Sequence, residues 1–425
     1  MRARKGLFRA LRERDFALLW SGQSVSSVGD GIFTIALALE SLRIDHSPTG
    51  LAFVFAARAV PSVCFALVGG VVVDRVPRRL AMLASDGVRG LAVAAIALLV
   101  GDGMLQLWEL IVMSAIFGTA DAFFGPASMA YLPELLPADL LVQGNALSQT
   151  SNQLTQGLIG PAVGGIVVAA IGMAWSFGFD AFSFAVSSGC LIAMRARSRP
   201  SPSGRSPIAD ARDGLRYVRT RRWLAVSIPG AALANFFGIA PLSVLLPLLV
   251  RHVLHSGPLA LGLVFAAGGA AGVVASLVVA HLGAPRKRVT VLWIAYAVGG
   301  VAIACMAVAP NVWVVGGLSA VEIGLILYGD VLWVAMMQEL VPKEMLGRVS
   351  SLVYLFAFSL GPLGILAGGA VAASIGTRAA LLASGAVSGG ICLLVILIPG
   401  VRDPERIPSV GEGFGADSPA VAEGT

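Results

Sequence analysis

ELLPADLL, Glu134–Leu141, decides the architecture because the chain repeats it: 205 residues later stands ELVPKEML, Glu339–Leu346. Two more echoes follow in the same order. GPAVGG (Gly160–Gly165) is answered by GPLG (Gly361–Gly364) at an offset of 201, and Ile171-Gly172 by Ile375-Gly376 at an offset of 204. Ordered matches at a nearly constant spacing indicate an internal duplication.

What is duplicated can be read outward from these echoes. Apolar runs long enough to cross hydrocarbon as helices occur near 16–42, 49–73, 80–101, 107–131, 142–170, 172–194, 223–250, 258–283, 289–309, 312–338, 349–373 and 376–399. A helix satisfies its own backbone hydrogen bonds where no water can. The expectation is an all-α integral membrane protein of about twelve transmembrane helices in two six-helix bundles. Composition agrees: 57% of residues are hydrophobic and 13% charged, against about 25% charged in soluble chains, which excludes a soluble enzyme. The one long polar break, residues 195–222, opens with RARSRPSPSGRSP and reads as a cytoplasmic linker with a short amphipathic helix. It separates an N-terminal bundle, 1–194, from a C-terminal bundle, 223–400. The Gly-, Pro- and acid-containing residues 401–425 read as a disordered cytoplasmic tail.

With the N-terminus inside, 25 of the 30 basic residues fall in cytoplasmic segments, three outside (Arg43, Arg251, Arg378) and two within spans (Arg58, Arg89). The positive-inside rule therefore places both termini in the cytoplasm of a plasma-membrane protein. The net charge of +6 is topogenic and predicts no nucleic-acid partner. Trp20, Trp223 and Trp293 fall near predicted inner ends and Trp108, Trp175 and Trp313 near outer ends, as interfacial aromatics. Cys64, Cys190, Cys305 and Cys392 stand singly in four spans and read as buried apolar residues, not a metal or disulfide set. GEGFGA (Gly411–Ala416) matches a dinucleotide fingerprint without its strand and helix, so no nucleotide is expected. With no HExxH, GxSxG or Gly-Lys in the chain, neither an enzyme nor a primary pump is expected, and no metal or cofactor.

GVVVDRVPRR (Gly70–Arg79) resembles the loop signature of the major facilitator superfamily, with Pro77 in place of its second glycine. The resemblance implies a cytoplasmic gate of Gly70, Asp74, Arg75, Arg78 and Arg79, Asp74 facing the N-terminal end of span 11 near Gly347–Ser351. The other reading makes the arginines topogenic alone. GLIGPAVGG (Gly157–Gly165) is similar to the span-5 signature of drug–proton antiporters, although Gln156 stands where its upstream glycine belongs. Gly160, Pro161, Gly164 and Gly165, with Gly361 and Pro362, would serve close helix packing. FFGPASMAYLPELLP (Phe123–Pro137), GFDAFSFAVSS (Gly178–Ser188) and ELVPKEMLGRVSS (Glu339–Ser351) resemble the branch holding bacterial macrolide-efflux proteins and the enterobactin exporter. The implied function is export of a small organic molecule (a drug, macrolide, siderophore or other secondary metabolite) by alternating access, with proton antiport. The alternatives are an importer or uniporter on the same fold and, more distantly, a polytopic enzyme or receptor. Antiporters of the superfamily often carry an Arg in span 4 where this chain has Ser114.

Charges inside a bilayer cost enough that each asks for a reason. Asp30 and Arg58 lie at comparable depth in spans 1 and 2, close enough in height to pair; with Asp121 and Glu322 they are the candidates for proton coupling. Asp121 shares a face of span 4 with Phe117 and Phe124. Asn145, Gln149, Asn152 and Gln156 repeat at spacings of 4, 3 and 4, setting four amides on one face of span 5, and span 1 offers Gln23 and Ser27. Lipid would penalise such faces, so they are read as cavity walls, with Asn235 the candidate from span 7. Asp86–Arg89 reads as a local pair near the inner leaflet, and Asp180 and Asp330 as lying close to the interfaces.

Overall fold

The computed structural model describes residues 7–73, 75–195, 207–283 and 285–406. Twelve long apolar helices dominate: α1 (Arg14–Ile44), α2 (Pro48–Val73), α3 (Arg78–Gly101), α4 (Leu107–Leu135), α5 (Leu141–Ile171) and α6 (Met173–Ala193), then α8 (Arg222–Val253), α9 (Pro258–Leu282), α10 (Arg288–Met306), α11 (Val312–Leu340), α12 (Glu344–Ile375) and α13 (Thr377–Leu397). A thirteenth, α7 (Pro207–Thr220), is short and amphipathic and precedes the second set. A short helix therefore stands within the expected segment; the linker stretch before it, Asp74 and the tail beyond 406 lie outside the described residues. The outer surface is apolar, with Leu91 at 74% exposed, Leu282 at 82% and Leu397 at 72%, as helices solvated by lipid require. This is a multi-pass membrane protein.

Local sequence explains the helix ends. Pro48 and Pro258 begin α2 and α9, where the missing N–H costs nothing. Asn311 caps α11, its Oδ1 accepting from the Trp313 and Val314 N–H groups at 3.1 Å each. Gly172 (φ +92°) and Gly376 (φ +87°) each turn the chain between two helices through a conformation that favours glycine, which accounts for the Ile-Gly echo. Within α5 and α8 the helix widens to a π turn at Thr155–Ile159 and Asn235–Ile239. Pro161 and Pro241 stand two residues beyond and have no N–H to offer the carbonyls of Gly157 and Phe237. Ser384 Oγ takes up the Phe237 carbonyl instead.

Close packing identifies the true register of the duplication. In the first half Gly160 and Gly164 meet α1: a Cβ on each would lie 2.8 Å from Gly31 Cα and 2.9 Å from Ile32 Cα. In the second half Gly364 and Gly368 meet α8, where a Cβ would lie 2.9 Å from the Ala240 Cβ and 2.9 Å from the Pro241 Cα. The repeat thus runs Gly160, Gly164, Gly165 to Gly364, Gly368, Gly369, an offset of 204. The 201 offset paired Gly-Pro with Gly-Pro and placed packing at Gly361, which has nothing within 4 Å of its would-be Cβ; Pro362 is buried.

The third glycine of each set joins the two bundles. Gly165 of α5 meets α9, a Cβ there falling 2.9 Å from the Pro258 oxygen and 3.1 Å from Gly262 Cα. Gly369 of α12 meets Ala52 and Pro48 of α2, 2.9 Å separating its would-be Cβ from the Pro48 oxygen. Pro48 and Pro258 open their helices at the end remote from the chain's start, so both seams close that end. The far stretches of α1 (Gly31–Leu42, save Thr34) and α8 (Ala240–Val250, save Ser243) are buried there. At the terminal end, Arg14 donates to the Ala193 carbonyl at 3.1 Å and Arg79 to that of Ile192 at 2.7 Å, bringing the starts of α1 and α3 to the end of α6.

Several side chains depart from their sequence reading. Trp108, Trp175 and Trp313 are 60–71% exposed, but Trp223 and Trp293 are packed into apolar clusters and Trp20 turns into a cavity. Cys64 and Cys305 are exposed and only Cys392 is buried, since a thiol is apolar enough to face lipid.

Candidate functional site

A cavity of about 360 Å³ lies in the first bundle between α1, α3, α4 and α5. Asn145, Gln149, Asn152 and Gln156 all line it, as do Gln23, Ser27, Phe124, Asp30 and Asp121. The polar faces of α1 and α5 zip together along its wall. Ser24 and Ser151 hydroxyls are 2.9 Å apart, Ser27 Oγ donates to Asn152 Oδ1 at 2.9 Å, and Gln23 Nε2 donates to Ser128 Oγ of α4 at 2.5 Å. Amide and hydroxyl groups here both hold the helices and remain available to a polar solute in the cavity.

The floor is charged, and its hub is Arg89. The guanidinium, 2% exposed, donates to Asp86 Oδ1 at 2.5 Å and to Asp121 Oδ1 at 3.1 Å. Ser187 Oγ of α6 holds the other Asp86 oxygen at 2.6 Å. Phe124 and Phe184 flank the guanidinium with ring centroids 4.5 and 4.6 Å away, a cation–π arrangement that substitutes for hydration in a dry site. The local Asp86–Arg89 pair is present, at 2.5 Å, and it is the junction of a wider network. It sits eight to eleven residues into a 24-residue helix and binds α3 to α4 and α6. The Asp121 side chain is 44% exposed, so one partner of the buried arginine opens to the cavity.

Asp30 and Arg58 do not form an ion pair. Arg58 lies over Phe117 at 4.7 Å and Phe33 at 5.3 Å, with Thr34 Oγ1 at 3.5 Å. Phe117 is stacked on Phe33 with centroids 4.8 Å apart, so its ring is held between Arg58 and Arg89; it is 1% exposed and does not line the cavity. Asp30 Oδ1 is buried with no hydrogen-bond partner. Near it Asp180, fully buried rather than interfacial, binds Ser183 Oγ at 3.2 Å and leaves Oδ2 unpartnered.

The second bundle is quieter. Glu322 is 1% exposed, outside the cavity, with Oε2 unpartnered. Asn235 donates to the Ala357 carbonyl at 2.9 Å and lines a separate cavity of about 190 Å³. Asp330 opens into that cavity and accepts from Tyr296 Oη at 2.6 Å. Among the gate residues Arg75 is exposed, Arg78 pairs with Glu134 of α4, and Arg79 takes the Ile192 carbonyl. These bonds of Arg78 and Arg79 are made within the first bundle. Gly70 lies in α2.

The profile of the family described as transmembrane secretion effector matches residues 5–410. The chain belongs to this branch of the major facilitator superfamily. Among its relatives, the multidrug efflux pump Tap of Mycobacterium tuberculosis is 26% identical over 90% of this chain and 93% of its own length. The enterobactin exporter EntS of Citrobacter koseri is 25% identical over 94% and 95%. Two solved structures share the fold. A bacterial homologue of the iron transporter ferroportin, captured inward-facing, superposes with a TM-score of 0.68 at 16% identity, over 90% of this chain and 98% of its own. A POT family transporter superposes at 0.70 and 12% identity, over 90% and 96%.

Some participants escaped the sequence reading of this chain. Arg89 was visible as an intramembrane charge, but its nearest sequence partner, Asp86, concealed its bond to Asp121, 32 residues on. Trp20 lines the cavity, and Tyr296 meets Asp330 across two helices. Neither contact follows from helical periodicity.

Proposed function

We propose that this chain is a secondary active exporter of small organic molecules that works by alternating access and exchanges its substrate for protons. One observation carries the reading: the cavity with two carboxylates and four amides abuts an interface closed by two glycine seams at one end. Separating Gly165 from Gly262 and Gly369 from Ala52 would open the far end to the same cavity, so one set of side chains would serve both sides of the membrane. The basic segments favour a cytoplasmic terminal end, and loading from there would make the direction outward. The named activities of Tap and EntS, multidrug efflux and enterobactin export, support an organic cargo.

Asp30 and Asp121 are the proposed proton sites and Arg89 the fixed counter-charge. Arg89 pairs with both Asp86 and Asp121, so a cargo or a proton arriving at Asp121 competes for a carboxylate already shared. Reconstituted protein should show substrate-dependent proton flux, lost in Asp30→Asn and sharply reduced in Asp121→Asn. Wild-type flux in both variants would refute the coupling. Export of a cell-loaded substrate without proton movement would leave a uniporter.

A further inference from the structure

The helix α7, Pro207–Thr220, has two faces fixed by contact. Leu215 and Val218 join an apolar cluster with Trp223, Leu224, Met337, Val349 and Leu352. Gly214 lets the helix approach α12 closely: a Cβ there would lie 3.0 Å from the Leu352 side chain and 3.1 Å from the Arg348 carbonyl oxygen. Asp213 pairs with Arg348 of α12 at 3.4 Å. This docking sets the rotation of the helix. At spacings of 4 and 3, Arg212, Arg216 and Arg219 then share the opposite face, and all three are exposed with no ion partner among the described residues. Arg221 and Arg222 add to the patch at its C-terminal end, also exposed.

One residue, Arg221, separates α7 from the membrane helix α8, so the arginine face lies at the level where a bilayer meets water. We propose that this face binds anionic phospholipid headgroups. An arginine guanidinium donates in pairs to a phosphate, and a basic stripe on an interfacial helix is attracted to anionic lipid. The contact reaches the transport machinery mechanically. Docked α7 grips α12 through Arg348 and Leu352, and α12 forms one of the two inter-bundle seams through Gly369. Bound headgroups hold the terminal part of α12 at the membrane surface.

The test uses full-length protein in mixed phosphatidylcholine–phosphatidylglycerol bilayers, with spin-labelled forms of each lipid reporting relative association by electron paramagnetic resonance. Wild type should prefer phosphatidylglycerol, and the preference should fall by about five-fold per arginine removed at low salt. Arg212→Gln/Arg216→Gln/Arg219→Gln should therefore lose most of it, and the corresponding Lys variant should keep it. An undiminished preference in the Gln variant overturns the proposal. So does an equal loss in the Lys variant, which would indicate altered helix docking. A salt titration of the wild type needs no variant, and a salt-independent preference would also overturn it. Transport is not measured, so the outcome is independent of the exporter reading.

Discussion

Arg78 pairs with Glu134 in the first bundle, and Arg288 pairs with Glu339 in the second. Both bonds tie the start of one helix to the end of the next, and they fix equivalent positions in the two copies. In that register Ser114 corresponds to Ser319, both fully buried with an unpartnered hydroxyl. The glycine sets of α5 and α12 correspond as well. Chemistry diverges at the neighbouring positions: Asp86 answers to Tyr296, Arg89 to Gly299, Asp121 to Ile326 and Phe117 to Glu322. Packing rules kept the scaffold in both copies, because a glycine seam tolerates no side chain. A buried charge is costly in either copy, and among the described residues only the first bundle holds a network of several. The difference underlies the proposal that the ion-dependent part of transport lies in the first bundle, with the second as its structural counterpart.

The largest test of this asymmetry is Arg89→Ala. It strands Asp86, fully buried, and should cost about 3–5 kcal/mol, visible as loss of folded protein or a large fall in Tm in detergent. In the second copy Tyr296→Phe, at the position equivalent to Asp86, should cost only about 1 kcal/mol. Similar losses from the two would break the comparison. The seams should respond alike in both copies: Gly165→Leu and Gly369→Leu should each destabilise by about 1–3 kcal/mol and shift the protein away from closure at the far end, measured by distances between spin labels across the bundles. An effect confined to one seam would show that the pseudo-symmetry fails in motion.

Glu322→Gln sharpens the contrast from the other side. The carboxyl has no ionic partner among the described residues, so an amide of the same shape should leave Tm unchanged or raise stability by about 1 kcal/mol. A fall comparable to that of Arg89→Ala would reveal a counter-charge. The smallest effects belong to the paired surface bridges. Arg78→Gln and Arg288→Gln should each cost about 1 kcal/mol or less, matched between copies, in thermal unfolding followed by circular dichroism.

The site was partly legible in the residues themselves. Four amides at helical spacing on a membrane helix can only face protein or water, so Asn145, Gln149, Asn152 and Gln156 announced a cavity wall before any fold was known, and all four line one cavity. Asp30 and Asp121 were conspicuous because lipid makes every buried charge expensive. Phe117 shared a face with Asp121 in sequence, yet its ring was taken by Arg58 and Arg89. Glu322 was as conspicuous as Asp30, yet it lies outside the cavity.

Sequence alone determined the twelve helices and the duplication, because hydrocarbon thickness and backbone satisfaction act on each segment separately. Pairing was decided elsewhere. Which carboxylate Arg89 serves, which glycine of each set reaches the other bundle, and where Arg58 lies depend on the rotation and height of helices distant in sequence. Local periodicity names the face of a helix, but only packing against its neighbours determines what that face meets.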